Sequence, residues 1–167
     1  MKIISLANLY LDQLQDMHSC ERQLIRSLQR MSKAAQHPDL VMSFEKHLEE
    51  TREHLERLTQ ILSTLGEGTG RKVCEAASGL ASEAAKLIDD TERGPVRDAG
   101  LICSAQKAEH DEIASYGCLC TFASLLDRGA DLKLLEITLS EEKFADDALT
   151  MIAMNEINCY AVAKEPI

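Results

Sequence analysis

Acids set on the inner faces of helices constrain this chain more than anything else in it. Between residues 102 and 123 the apolar side chains Ile102, Ala105, Ile113, Tyr116, Cys120 and Ala123 recur with helical spacing. Glu109 falls in the middle of that stripe, and Glu112 lies one step to its side. A carboxylate taken out of water is costly unless it is paired, bound to a cation or protonated. An acid in a core position therefore implies either a partner or a cation, and three other segments repeat the pattern.

Residues 5–36 read as one helix with a stripe of Leu6, Leu9, Tyr10, Leu14, Met17, Leu24, Leu28 and Met31. Glu21 lies near its centre and His18 on its flank. Pro38 is expected to break this helix, and Asp39 to cap the next. Residues 39–65 form the second helix, closed by Gly66. Its stripe is Val41, Phe44, Leu48, Thr51, Leu55, Leu58 and Leu62, with His47, Glu50 and His54 along one edge. Their i, i+3 and i, i+4 spacings let these three converge. Thr51 is expected to face inward and bond the carbonyl four residues back.

Residues 73–92 are more weakly helical, interrupted at Ser78-Gly79, and suggest short helices crossing the bundle. Residues 96–128 form the third long helix, stopped by Gly129. The fourth runs from Asp131 to about Tyr160, with Glu142 central in its stripe, Asp146 beside it one turn on, and Glu141 at the edge. One helical domain over residues 1–162 is expected, with 163–167 as a frayed tail.

The two halves echo each other. Asp39-Leu40 stands eleven residues before Glu50, and Asp131-Leu132 eleven before Glu142. His18-x-x-Glu21 in the first half answers Glu109-x-x-Glu112 in the second. Two antiparallel helical hairpins joined by a long crossover give an all-α four-helix bundle with an approximate two-fold axis. Such a bundle brings Glu21, Glu50, Glu109, Glu112 and Glu142 to similar depth, the pattern of a di-metal carboxylate site. Two iron or manganese ions accept carboxylate and imidazole donors and neutralise acids that would otherwise repel. The usual site takes a Glu from each of two helices and a Glu-x-x-His from each of the others. Here the second and fourth helices lack Glu-x-x-His, and the fourth has no histidine. His47 or His54 would serve in the second helix, and Asp146 or the extra acid of the third helix in place of the missing histidine.

Composition excludes several function classes. A formal net charge of −10 disfavours binding to nucleic acid or to an anionic membrane surface. No run of eighteen apolar residues occurs, and the N-terminal segment is too soon polar for a signal peptide. The six cysteines form no CxxC pair and no zinc spacing, which fits reduced core thiols in a cytoplasmic protein and leaves a redox role for some of them as the alternative.

Five segments taken in order resemble the YciE/YciF-like family of bacterial ferritin-like proteins. They are residues 19–24, 47–51, 96–99, 108–117 and 139–143, within a likeness that runs from about Leu9 to Ala153. The resemblance implies a ferritin-like bundle, a homodimer, an association with bacterial stress responses and a di-iron-type site. It carries Glu21, Glu50, Glu109, Glu112, Glu142 and His47 over as matching positions. His18, His54 and Asp111 depart from the family pattern. Two functions follow as expectations. One is a di-metal protein that reacts with dioxygen or peroxide. The other is a non-catalytic structural or interaction protein of the stress response with a vestigial or stabilising site. Iron storage in a cage is a third and weaker reading, since nothing in the sequence specifies a shell.

Overall fold

The structure is a computed structural model that describes residues 3–163. Five long helices, α1 (Leu6–Ala34), α2 (Pro38–Thr64), α3 (Glu75–Asp90), α4 (Pro95–Leu125) and α5 (Gly129–Ile152), are followed by a π-helical turn (Ala153–Ile157) and a short α6 (Asn158–Val162). α1 pairs with α2, and α4 with α5, as two hairpins; α3 packs along α1 and α4 as the crossover. This is the four-helix bundle expected from the repeat, in the ferritin-like form that the resemblance implies. Of the expected tail, residues 164–167 lie outside the described residues.

The termini correct several expected boundaries. Pro38 does not stand outside α2 but opens it, with His37 at the cap position. A proline at the first helical position lacks only an N–H that the helix leaves unpaired in any case. Asp98, buried near the start of α4, supplies acceptors there: its two oxygens take the Gln36 and His37 N–H groups, each at 2.9 Å. Gly66 does close α2, at φ 69° with the Glu67 N–H returning to the Leu62 carbonyl. Between α4 and α5, Asp127 takes the left-handed position instead (φ 55°), and Gly129 begins α5. The crossover is one continuous helix through Ser78-Gly79, because its alanine-rich face is laid against α1 and α4. Gly100 permits that contact, since a Cβ there would meet Leu87 of α3 at 2.8 Å. In the π-helical turn the Asn158 N–H reaches the Ala153 carbonyl, and Ala153 and Ile157 are both buried.

The core is divided into two apolar halves. One gathers Tyr10, Leu14, Met17, Leu24, Leu58, Tyr116, Leu119 and Leu135; the other Leu28, Leu40, Phe44, Leu48, Leu101, Ile102 and Leu149. Along α2, α4 and α5 polar core residues fall between these sets, and on α1 Glu21 lies among Met17, Cys20 and Leu24 of the first. Thr51 and His54 lie between Leu48 and Leu58, Glu109 and Glu112 between Ile102 and Tyr116, and Glu142 between Leu135 and Leu149. The fold thus clamps a polar layer between two hydrophobic ones.

Candidate metal centre

Six side chains from four helices meet in that layer: Glu21 from α1, His47 and His54 from α2, Glu109 and Glu112 from α4, and Glu142 from α5. All are buried, Glu21, His54 and Glu142 completely. They fall into two groups whose donor atoms lie within 4.8 Å of one another: His47, Glu109, Glu112 and Glu142, and Glu21, His54 and Glu142. Glu142 belongs to both. Its Oε2 lies 3.5 Å from His47 Nε2, and its Oε1 lies 2.8 Å from His54 Nδ1. His47 Nε2 also lies 3.3 Å from Glu109, and His54 Nδ1 lies 3.6 Å from Glu21.

The helix periods explain which residues arrive. His47, Thr51, His54 and Leu58 form one buried row on α2. This row is rotated from the expected stripe, so that both histidines point inward between α1 and α5. Thr51 bonds the His47 carbonyl at 2.7 Å, as expected of an inward threonine. Glu50, three residues past His47, falls about 60° round the helix from it. The structure places Glu50 at the outer edge, half-buried, against Lys46 and 3.6 Å from His47 Nδ1. Asp146 is also outside the two groups; it accepts from Gln106 at 3.1 Å and lies 3.3 Å from the exposed His110. His18 is buried but turns to the Thr59 hydroxyl, 3.3 Å away.

Most of the inward donor atoms lack hydrogen bonds. Glu21 Oε2, Glu109 Oε2, both oxygens of Glu112, both oxygens of Glu142 and Nδ1 of each histidine make no hydrogen bond; Glu142 and the histidines meet one another only as ion-pair contacts, and Glu112 has not even that among the described residues. Buried polar atoms are ordinarily satisfied, so a concentration of orphans demands a cause. Its electrostatic consequences are large. Burial, reinforced by neighbouring carboxylates, holds Glu112 well above the ordinary carboxylate range. Burial also raises Glu109 and Glu142, against the opposing pull of His47 and His54 respectively. Burial alone would lower the histidines, but Glu109 and Glu50 lift His47 above its usual value, and Glu142 and Glu21 push His54 up to about 10. Tyr116 donates to Glu21 Oε1 and gives that acid its one short neutral partner.

Each histidine is also held from behind. His54 Nε2 lies 3.0 Å from Glu141 Oε2, and Arg57 clamps Glu141 through both guanidinium nitrogens while donating to Thr138 at 3.1 Å. On the other side Glu50, backed by Lys46, faces His47 Nδ1. The Glu50 carboxyl is lowered to about 2, chiefly by His47. A carboxylate behind an imidazole fixes its ring orientation and tautomer and raises its basicity toward a cation. In the sequence Glu141 reads as an edge residue of the fourth helix, and Arg57 does not stand out as part of the site. The available signal was spacing: Arg57 is three residues past His54, and Glu141 adjoins Glu142.

The donor set fits a pair of divalent cations. Four carboxylates and two imidazoles are the total that two Glu and two Glu-x-x-His segments supply in the usual site. Here both imidazoles come from α2, and α4 contributes two acids. Two divalent charges would balance four carboxylates and satisfy the orphaned oxygens.

Comparison with known proteins agrees with the bundle. Residues 5–162 match the family described as "Domain of unknown function (DUF892)". The chain is 41% identical to protein YciF of Escherichia coli over 165 residues, covering 98% of this chain and 99% of that one. The crystal structure of the E. coli stress protein YciF superposes with a TM-score of 0.89 over 95% of this chain and 99% of that one, at 42% identity. YcfI from Rhodopseudomonas palustris gives 0.87 over 91% and 97%, at 34% identity. A dodecameric thioferritin from Bacteroides fragilis, 15% identical, gives 0.74 over 97% of this chain and 94% of that one and shares the fold. The chain belongs to the DUF892 family of YciF-like proteins.

Proposed function

We propose that this protein binds two iron or manganese ions in the polar layer and acts on dioxygen or peroxide as part of a bacterial stress response. The observation that carries the proposal is Glu142, whose two oxygens face two different histidines in two overlapping donor groups. A carboxylate so placed suits a bridge. Such ions, held by these residues, would supply the Lewis acidity and electrons that reduction of dioxygen or peroxide needs. The chain's own residues do the rest. Glu21, Glu109, Glu112, Glu142, His47 and His54 hold the cations. Glu141 and Glu50 orient the imidazoles. The two apolar core halves exclude bulk water, and the Tyr116 hydroxyl holds Glu21 in place.

The stress association rests on the E. coli relative. We also propose a homodimer. α3 of the crossover exposes no large apolar side chain. Ile137, Phe144 and Met151 of α5 are exposed at seven-residue intervals, a stripe suited to a second copy. Solution mass tests this part.

The functional test uses protein purified from iron-supplemented cells. Metal content is read by mass spectrometry and peroxide consumption by spectrophotometry, for the wild type and Glu142→Ala. Two ions per chain, peroxide turnover, and loss of both in the variant are expected. Metal uptake without turnover would favour the non-catalytic alternative. Absence of uptake would overturn the metal-binding reading and leave the alternative in which the site is vestigial.

A further inference from the structure

Unused positive charge in this acidic protein gathers at one cleft, between α1 and the loop that leads into α3. The chain has nine arginines against a formal net charge of −10. Arg52, Arg57, Arg93, Arg97 and Arg128 are bound to carboxylates, carbonyls or hydroxyls of the protein. Arg22, Arg26, Arg30 and Arg71 make no hydrogen bond or ion pair among the described residues, and all but Arg30 line the same cleft. The cleft has a volume of about 340 Å³, and no carboxylate, tyrosine or phenylalanine lines it. On a chain with 28 acidic residues, three free guanidiniums in a wall without one acid reverse the local field.

The second wall is the glycine-rich run Gly66-Glu-Gly-Thr-Gly-Arg-Lys72, which the metal centre does not use. Although exposed, this loop is fixed to α1. Gln15 Nε2 donates to the Gly68 carbonyl at 3.0 Å, the Cys74 N–H donates to Ser19 Oγ at 3.0 Å, and Gln23 Nε2 donates to the Cys74 carbonyl at 3.0 Å. Lys72 Nζ lies 2.6 Å from Asp12 and 3.5 Å from Asp16, which neutralise it and leave the free charge to the guanidiniums. Gly70 takes the left-handed conformation at φ 71°, and a Cβ there would meet the Gln15 side chain at 2.9 Å, so glycine lets the loop lie this close. None of the N–H groups from Gly68 to Val73 donates to another protein group among the described residues. A loop so held keeps its free donors in place before any ligand arrives, which lowers the ordering cost of binding. Cys74 at this anchor and Cys20 are buried, whereas Cys103, Cys118 and Cys159 are exposed, which corrects the expectation of core thiols.

We propose that this cleft binds a small anion built of linked phosphoryl groups, through Arg22 and Arg26 on one wall and Arg71 with the loop N–H groups on the other. A guanidinium presents paired N–H donors that match phosphoryl oxygens. Arg22 and Arg26 are four residues apart on α1, a rise of about 6 Å, so they suit successive groups along a chain rather than a single phosphate. The one imidazole in the wall, His18, is buried and turned to Thr59. A nucleobase therefore finds no ring to stack on, and the phosphoryl chain is what the cleft recognises. Inorganic tripolyphosphate and a nucleoside triphosphate share that chemistry.

Isothermal titration calorimetry of the full chain with sodium tripolyphosphate, ATP, AMP and inorganic phosphate is the test. It is run on protein as purified and again after chelation, because a phosphoryl chain also binds metal ions. Tripolyphosphate and ATP are expected to bind once per chain with similar affinity in both samples, and AMP and phosphate at least about tenfold more weakly. Arg26→Gln and Arg71→Gln should each weaken tripolyphosphate about tenfold. Both side chains are exposed and bound to no protein acceptor, so the fold and metal content should not change. Lys133→Gln removes the same charge from the exposed face of α5 and should leave the affinity as it was. No binding, binding that disappears on chelation, equal affinity for phosphate and tripolyphosphate, or an equal loss in Lys133→Gln would overturn the proposal. Binding of ATP far tighter than that of tripolyphosphate would assign recognition to the nucleoside and overturn it as well.

Discussion

Replacing Glu112 by methionine should stabilise the metal-free protein and remove its response to metal. Glu112 is 1% exposed, and neither carboxylate oxygen has a hydrogen-bond partner. Burial and four neighbouring acids all push its pKa upward from an ordinary 4.5. The cost of retaining it without a cation has a ceiling, because the protein can always protonate the group. At pH 7 that ceiling is 2.5 pH units at about 1.4 kcal/mol each, or about 3.4 kcal/mol. Methionine has similar length and no polar oxygen, and a misfit returns about 1 kcal/mol. The net gain is at most about 2 kcal/mol, which corresponds to a Tm higher by up to about 4–8 °C in a domain of this size. At pH 5 the ceiling falls to about 0.7 kcal/mol, so the advantage should nearly vanish there. Metal reverses the order. At a hundredfold excess over Kd the wild type gains about 2.7 kcal/mol, which the variant forgoes. Differential scanning calorimetry of chelated and manganese-loaded samples at pH 5 and 7 makes the comparison. A metal-free variant less stable than the wild type at pH 7, or equal metal stabilisation of both, would refute the reasoning.

The same charges set a pH dependence. Glu109, Glu112 and Glu142 have raised folded-state pKa values, so the folded protein binds more protons than the unfolded chain above pH 4.5. Their contribution declines as pH rises from there, and that of His54, raised to about 10, is present below 6.5 and lost as pH rises through 10. The Tm of the metal-free protein should therefore fall from pH 5.5 to pH 9, whereas added manganese should stabilise more at pH 7 than at 5.5; a flat metal-free profile contradicts the account. Glu141→Gln should weaken manganese binding about 10–100-fold by freeing the His54 ring, read by chelator competition; unchanged affinity would remove Glu141 from the site. Asp98→Ala unpairs two N–H groups where α2 begins and should cost about 1–3 kcal/mol in denaturant unfolding without changing metal affinity.

Much of the bundle is written in helical period. The apolar rows of α1, α2, α4 and α5 give their faces, and the low glycine and proline content leaves few stops. Boundaries are less legible because the stop signals have two uses. Pro38 reads as a breaker but serves as an opening residue, and Asp127 takes the turn position that Gly129 was expected to mark. The inward acids Glu21, Glu109, Glu112 and Glu142 are visible as charges interrupting apolar rows. The division of labour on α2 is not. Its stripe is broad enough for either Glu50 or the His47–His54 row to face inward, and only packing between α1 and α5 selects the histidines. The repeat misleads at this point, since it pairs Glu50 with Glu142 whereas the fold puts Glu50 at the outer edge and Glu142 at the centre. Glu141 and Arg57 lie 84 positions apart, a tertiary relationship with no local pattern. The buried Tyr10–Asp131 bond at 3.1 Å is hidden in the same way, since Asp131 reads as a helix start.

The central claim is that Glu142 serves two cations at once. Electron paramagnetic resonance of manganese-loaded protein at two equivalents per chain tests it most directly, because a shared carboxylate couples the two spins. The account predicts the spectrum of an exchange-coupled pair in the wild type and its loss in Glu142→Ala. Wild-type protein that shows only the hyperfine pattern of isolated manganese ions at full occupancy would contradict it.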